Sequence, residues 1–474
     1  MLMKRTKIVA TIGPASSSKE ILRDMISAGM NVCRVNFSHG SYDDHKRVIN
    51  SIRELNEELG SHVAILADLQ GPKIRTGEMQ DSGVLLKNGK IVLIQTDDII
   101  GTEKAFSINY NKLPNDVKKG EDILLDDGKL ILKVVSSDGK KVITCKIIQG
   151  GILSSNKGVN FPNTRISMPS LTEKDQEDLK FAIEMDLDWI GLSFVRSARD
   201  IIDLKHILAT AGAKARVIAK IEKPEALKCI DDIIKESDGI MVARGDLGVE
   251  IPFQNVPLTQ KMLIEKGIRQ AKPVIVATQM MESMIHQMSP TRAEVNDVAN
   301  AVLDGADAVM LSSETSVGKY PVEVINTMSR IVCEMESSGA IYYKEQPPEK
   351  NKERFISDSI CYNSCRLAQR VNVDAIITMS FSGYTAYKIA SQRPKANIFV
   401  FTSNRKILTQ LNLVWGVKAF YYNKQISTDH TIADIKYLMK SEGYLAVGDL
   451  IINIASIPLE DLGGSNMLKL SQVD

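Results

Sequence analysis

The 474-residue sequence contains no apolar run approaching the roughly 20 residues that span a bilayer, and its formal net charge is only +1. The first absence excludes a membrane-spanning helix. The second leaves no sign of a nucleic-acid or membrane-surface partner. Cysteine is scarce: of six, only Cys361 and Cys365 are close, at a spacing that puts both on one helix face. No further Cys or His nearby completes a metal set, so the pair reads as small buried residues, and free thiols of this kind suit the cytoplasm. Met1-Leu2-Met3-Lys4-Arg5-Thr6 leads straight into a strand-like stretch without a secretory h-region. Neither a Gly-x-x-x-x-Gly-Lys-Ser/Thr loop nor a Gly-x-Gly-x-x-Gly after a strand is present, so any nucleotide is held by another route. There is no internal repeat and no low-complexity tract.

What the chain does have is strand–helix alternation. Strands are expected at 6–12, 31–37, 63–69, 188–194, 216–222, 239–243, 273–278 and 306–311, with amphipathic helices at 19–28, 43–59, 174–185 and 198–211. Eight such units point to a closed parallel (β/α)8 TIM barrel formed by residues 1–71 and 166–340. Residues 72–165 instead hold short β-like runs with Asn88-Gly89, Asp127-Gly128 and Asp138-Gly139 turns, read as hairpins of an inserted all-β cap. After Pro347-Pro348, residues 341–474 alternate again, as an open α/β domain.

In such a barrel the C-terminal strand ends face the active site. Side chains in a strand alternate faces, so Lys220 and Glu222 in Val217-Ile218-Ala219-Lys220-Ile221-Glu222 point the same way. Burying them is costly unless charged ligands use them. The next strand ends in Arg244-Gly245-Asp246, which adds a second carboxylate. Glu222 and Asp246, with no His or Cys beside them, are hard oxygen ligands suited to Mg²⁺ or Mn²⁺. The stretch from Gly245 to Gly248 is expected to open a short helix whose N–H groups bind a carboxylate or phosphate. Arg34 and Arg75 offer planar forks and Lys220 a point charge. Arg34, Asn36 and Ser38 share a face at the second strand; the third ends in Asp68, the seventh in Thr278 and the eighth in Ser312. The expectation is a site for a divalent metal and a phosphorylated acid.

These stretches make the chain recognisable. Thr6-Lys7-Ile8-Val9-Ala10-Thr11-Ile12-Gly13-Pro14, Arg34-Val35-Asn36-Phe37-Ser38-His39-Gly40, Ala219-Lys220-Ile221-Glu222, Ala243-Arg244-Gly245-Asp246-Leu247-Gly248, Ala277-Thr278-Gln279-Met280-Met281-Glu282 and Pro290-Thr291-Arg292-Ala293-Glu294 resemble the pyruvate kinase family along the whole length. The resemblance implies transfer of the phosphoryl group of phosphoenolpyruvate to ADP, then protonation of the enolate. It implies that Glu222 and Asp246 hold the divalent ion, Lys220 neutralises the phosphoryl in flight and Arg34 steadies it. Backbone N–H groups at Gly245 and Asp246, with the Thr278 hydroxyl, would clasp the substrate carboxylate. Arg75, His39, Lys157 and Asn36 would meet the nucleotide, although local loop contacts account for His39 equally well. Thr278 and Ser312 stand nearest the enolate carbon, with a water chain the better proton donor.

Many family members bind a monovalent cation through groups matching Asn36, Ser38, Asp68 and the carbonyl of Leu69, and carry Thr-Lys-Gly-Pro-Glu after the aspartate. This chain has Leu69-Gln70-Gly71-Pro72-Lys73, which resembles the branch that needs no K⁺, Lys73 supplying the charge. The resemblance further implies an effector loop at Ser380, Ser382, Gly383 and Thr385 taking a sugar monophosphate or AMP rather than a bisphosphate. Tyr384 stands where relatives often have a basic residue, and a plain loop-to-helix cap is the other reading. The family is usually tetrameric, with Arg292 a candidate interface residue. Two other functions share these features: a Mg²⁺-dependent barrel lyase or aldolase acting on pyruvate enolates, and a catalytically dead metabolite sensor.

Overall fold

Eight short apolar strands close into a parallel ring: β1 (Lys7–Thr11), β2 (Val32–Asn36), β3 (Ala64–Asp68), β4 (Trp189–Leu192), β5 (Arg216–Ile221), β6 (Gly239–Ala243), β7 (Val274–Ala277) and β8 (Ala308–Leu311). Each lies within a strand expected from sequence. The computed structural model describes residues 4–350, 353–424, 427–457 and 464–474. Period-2 alternation sorts each strand's side chains. Val9, Val32, Leu66, Trp189, Ile218, Met241, Ile275 and Met310 fill the barrel interior. Their neighbours Ile8, Cys33, Ile65, Ile190, Val217, Ala219 and Val309 pack outward against the helices. On β5 this leaves Lys220 and Glu222 on the inward side, above Ile218. Helix Tyr42–Leu59 begins on the Ser41/Asp44 capping box and ends at left-handed Gly60, so its ends follow from local chemistry.

The segment between β3 and β4 folds on its own core of Val92, Ile94, Phe106, Leu125, Leu132, Ile143 and neighbours. Its six-stranded sheet runs 159–160, 122–125, 130–137, 142–149, 91–95, 105–107, beside a two-stranded pair of 84–86 with 151–153. The Asp127-Gly128 and Asp138-Gly139 turns close hairpins as expected. Asn88-Gly89 does not. Val84–Leu86 pairs with Gly151–Leu153 and Ile91–Gln95 with Val142–Gln149, so this turn passes the chain between two sheets.

The C-terminal sheet, in the order β11-β10-β9-β12-β13, is built from β9 (Ala375–Met379), β10 (Asn397–Thr402), β11 (Val417–Tyr421), β12 (Leu450–Ala455) and β13 (Met467–Gln472). β13 pairs antiparallel with β12 at the edge and was not expected from sequence. The domain docks beneath the barrel. Arg5 donates to the carbonyls of Pro394 and Ala396, Arg393 pairs with Asp307 at 2.9 Å, and Leu413 joins the barrel's interior cluster. Cys361 and Cys365 are buried on helix Phe355–Val371. Among the described residues no helix is long and apolar enough to cross a membrane.

Candidate active site

Lys220 projects from β5 into the barrel mouth with its side chain 12% exposed. Its ammonium donates to Ser193 Oγ at 2.6 Å and lies 3.0 Å from Asp68 Oδ1 and 3.1 Å from Glu222 Oε1. Ser193, just beyond β4, donates its hydroxyl hydrogen bond to the Leu69 carbonyl at 2.7 Å. Asp68 reaches across β4 past Gly191, where a Cβ would sit in van der Waals contact with Asp68 Oδ1 at 3.4 Å. The other Asp68 oxygen accepts from Arg34 Nε at 2.6 Å, and Arg34 Nη1 is held by Thr11 Oγ1 at 2.7 Å. Glu222 is 1% exposed; its Oε2 accepts the Phe194 N–H at 2.7 Å, presented by a left-handed φ of 53°.

Burial alone would raise the Asp68 carboxyl, but Lys220 and Arg34 outweigh it and hold the group below the usual range. Burial would likewise strip Lys220 of its proton, yet Asp68 and Glu222 keep the ammonium pKa above its ordinary value. Burial pushes Glu222 up; Lys220 opposes this and Asp246 and Asp68 add to it.

The loops after β6 and β7 complete the mouth. Helix Arg244–Glu250 starts one residue before the expected Gly245. The Gly245 N–H is already donated to Thr278 Oγ1 at 2.7 Å, and that hydroxyl donates to the Ala277 carbonyl at 2.6 Å. Thr278 has φ 70° and Gln279 φ 54°, left-handed conformations that a β-branched residue rarely adopts. Arg244 braces the turn by donating to the Thr278 carbonyl at 2.6 Å while gripping both oxygens of Asp297 at 2.6 and 2.7 Å. Asp246 faces Lys73, 3.5 Å away. Ser312 follows β8, where its N–H caps onto Glu314 Oε2 at 2.7 Å.

Three cations, Arg34, Lys73 and Lys220, thus meet three carboxylates, Asp68, Glu222 and Asp246. Asp68 Oδ1 and Glu222 Oε1 are buried and accept no hydrogen bond, although each is near the Lys220 ammonium. An all-oxygen pair, one member with an unfilled buried acceptor, fits a hard divalent cation. Among the described residues no three His, Cys, Asp or Glu side chains converge closely enough to hold a metal ion, so protein ligands alone would not complete an octahedron.

Other expected residues lie apart from this cluster. Ser38 sits in a turn beyond β2, not on the strand face expected of it; its N–H bonds Asn36 Oδ1 at 3.1 Å. His39 is exposed beside it. Arg75 and Lys157 stand together on the inserted domain: Arg75 bridges to Gly158 and donates to Asn156 O at 3.1 Å, and Lys157 pairs with Asp126 at 3.0 Å. In the C-terminal domain, the loop from Ser380 lines a cavity of about 230 Å³ with Ser403, Ser456 and Ser465. The Thr385 hydroxyl is engaged by Ser465 Oγ at 2.9 Å, and Ser380 Oγ accepts the N–H of left-handed Gly383. The cation that the loop itself lacks arrives from Arg354, stacked 4.4 Å above the Tyr384 ring. Sequence reasoning missed Ser193, Thr11, Arg244 and Arg354; each reaches its partner only through the fold.

A closed parallel barrel whose mouth holds a buried lysine between paired acids has the form of a barrel enzyme for a charged substrate. Models described as "Pyruvate kinase, barrel domain" and "Pyruvate kinase, alpha/beta domain" match residues 3–325 and 358–471. A Corynebacterium glutamicum pyruvate kinase is 44% identical over 465 residues, covering 98% of this chain and 97% of the relative. A Staphylococcus aureus pyruvate kinase is 43% identical over 474 residues, 99% of this chain and 81% of the relative. The crystal structure of a Cryptosporidium parvum pyruvate kinase superposes with a TM-score of 0.93 at 34% identity, covering 99% of this chain and 96% of that one. The chain belongs to the pyruvate kinase family and is a phosphotransferase.

Proposed function

We propose that this enzyme moves the phosphoryl group of phosphoenolpyruvate to ADP at the cluster around Lys220. The observation that carries the reading is the Lys220 ammonium itself: buried, kept protonated by Asp68 and Glu222, and aimed by Ser193 Oγ. Phosphoryl transfer is chiefly positioning and charge stabilisation, and a fixed cation at the mouth supplies both. Arg34, locked by Asp68 and Thr11, holds the phosphoryl oxygens from the side. Glu222 and Asp246 would hold Mg²⁺ or Mn²⁺, which when bound neutralises phosphoryl and carboxylate charge. Thr278 and the backbone at Gly245 and Asp246 receive the substrate carboxylate. Until substrate arrives the Thr278 hydroxyl donates to Ala277 and the Gly245 N–H to Thr278 Oγ1, so both donors turn to the carboxylate as it binds, and water near Thr278 and Ser312 protonates the enolate.

Arg75 and Lys157, together with His39 and Asn36, meet ADP; this second-substrate platform favours a kinase over a lyase or an inactive sensor. Lys73 beside Asp246 supports activity without K⁺, in place of an ion at Asn36, Ser38, Asp68 and Leu69. Arg354 and the hydroxyls of Ser380 and Ser382 support binding of a phosphorylated effector, a sugar monophosphate or AMP. We keep 1–71 with 166–340, 72–165 and 341–474 as the working domains, in a cytoplasmic homotetramer. The test is ATP formed from ADP and phosphoenolpyruvate. Unmodified enzyme should be active, and folded Lys220→Met should fall by roughly 10²–10³-fold or more, as for a lost preorganised charge. Retained activity in Lys220→Met would sink the assignment.

A further inference from the structure

We propose that Asp175 is a positioning residue for the reaction, its buried carboxylate clipping together the two crossings that join the inserted domain to the barrel. The chain leaves the barrel after Asp68 and returns at helix Glu173–Glu184. Asp175, in that helix's first turn, has no exposed surface. Its Oδ2 accepts the Thr172 N–H at 2.9 Å and the Thr172 hydroxyl at 2.6 Å, and its own N–H returns to Thr172 Oγ1 at 3.1 Å. That half is a capping box. Oδ1 does something else: it accepts the Gly71 N–H at 2.9 Å, 104 residues away on the outgoing crossing. The boxes at Ser41/Asp44 and Ser197/Asp200 reach only a few residues along their own chain. Capping therefore accounts for one oxygen of Asp175 and leaves the other unexplained.

Gly71 is no ordinary linker residue. Its φ is 70°, and a Cβ there would stand 2.8 Å from Ser193 Cβ and 2.9 Å from the Phe194 ring. Asp175 thus fixes where the outgoing crossing leaves the barrel, with Gly71 packed on Ser193 and Phe194, whose own bonds to Lys220 and Glu222 lie within the barrel and do not pass through Gly71. Two residues further on stands Lys73 beside Asp246, and two beyond that Arg75. Arg196 steadies the returning crossing, donating to the carbonyls of Ile166 and Met168 at 2.6 and 2.7 Å. A carboxylate is an acceptor only; an amide in its place keeps its one oxygen on the two Thr172 donors and turns an N–H towards that of Gly71.

The catalytic consequence rests on Arg75 and Lys157 being the nucleotide contacts. In Asp175→Asn, KM for ADP should rise roughly ten-fold while KM for phosphoenolpyruvate, bound by the barrel, changes less than about two-fold. Thr172→Val keeps the Gly71 contact and loses only the capping hydroxyl, so its KM for ADP should stay unchanged as its melting temperature falls. A rise in Thr172→Val equal to that in Asp175→Asn, or an equal rise in both substrates' KM, overturns the proposal. Arg75→Met is the reference: a raised KM for ADP there with none in Asp175→Asn overturns the clip. An unchanged value in both overturns the nucleotide reading, and the clip's role falls with it. Should Asp175→Asn not fold, hydrogen exchange in the unmodified enzyme decides. The Gly71 amide should exchange slowly, and more slowly with ADP and Mg²⁺; free exchange, or none of this response, overturns the clip.

Discussion

Lys73 and Asp246 stand 3.5 Å apart, their side chains 33% and 28% exposed. A unit pair at that separation is worth about 1.2 kcal/mol at the dielectric of water and about 4.7 kcal/mol at an effective value of 20. Exposure of this degree places the pair near the lower figure. Lys73→Glu replaces that attraction with a repulsion of similar size, a swing of about 2 kcal/mol, or roughly 30-fold in kcat/KM for phosphoenolpyruvate. A free monovalent cation should restore most of the loss by screening the two carboxylates. The assay couples pyruvate to NADH oxidation by lactate dehydrogenase, with potassium chloride compared against tetramethylammonium chloride at equal ionic strength. Lys73→Glu should be slow in the second salt and recover in the first, and the unmodified enzyme should turn over alike in both. Strong K⁺ stimulation of the unmodified enzyme, or a variant indifferent to K⁺, would refute the reasoning.

Ser193→Ala removes a hydrogen bond to a charged group, worth about 1.5–3 kcal/mol, so kcat should fall roughly 10- to 100-fold with the circular dichroism spectrum unchanged. A kcat within two-fold of the parent would show that Asp68 and Glu222 aim Lys220 without it. Lys7 is buried against the Val417 carbonyl, and burial lowers its pKa to about 8 despite the opposing pull of Glu336. Below that pH both folded and unfolded chains keep the proton; above it the folded chain releases it first, so stability climbs with pH. Lys7 contributes about 1 kcal/mol of the gain between pH 7 and 9, beside the buried Lys4, and Lys7→Met should flatten the pH slope of the urea midpoints; slopes parallel to the parent's would exclude Lys7 as a source.

The barrel was readable because its strands alternate without exception: Val217, Ala219 and Ile221 outward, Ile218, Lys220 and Glu222 inward. The pairing of Lys220 with Glu222 is therefore a local fact. Its contact with Asp68 is not, since that depends on ring closure bringing β3 within reach of β5 across β4. Ser193 and Thr11 are single hydroxyls with no pattern around them. Asn88-Gly89 is a real turn, with Gly89 at φ 79°, but turn chemistry does not choose which strands pair. β13 escaped notice because an edge strand is mostly exposed and its alternation carries little apolar contrast. Arg354 comes to Tyr384 from the start of a helix remote in sequence, a neighbourhood that only the folded domain creates.

The left-handed backbone at Thr278 has a consequence for anyone who tries to harden this enzyme against heat. A β-branched residue in that region costs on the order of 1–2 kcal/mol, which a glycine would not incur. The two hydrogen bonds of its hydroxyl, each worth about 0.5–1.5 kcal/mol, offset that strain, so library selection for thermal survival should be nearly indifferent to Gly at position 278. Selection for turnover should reject it, because the hydroxyl leaves with the strain.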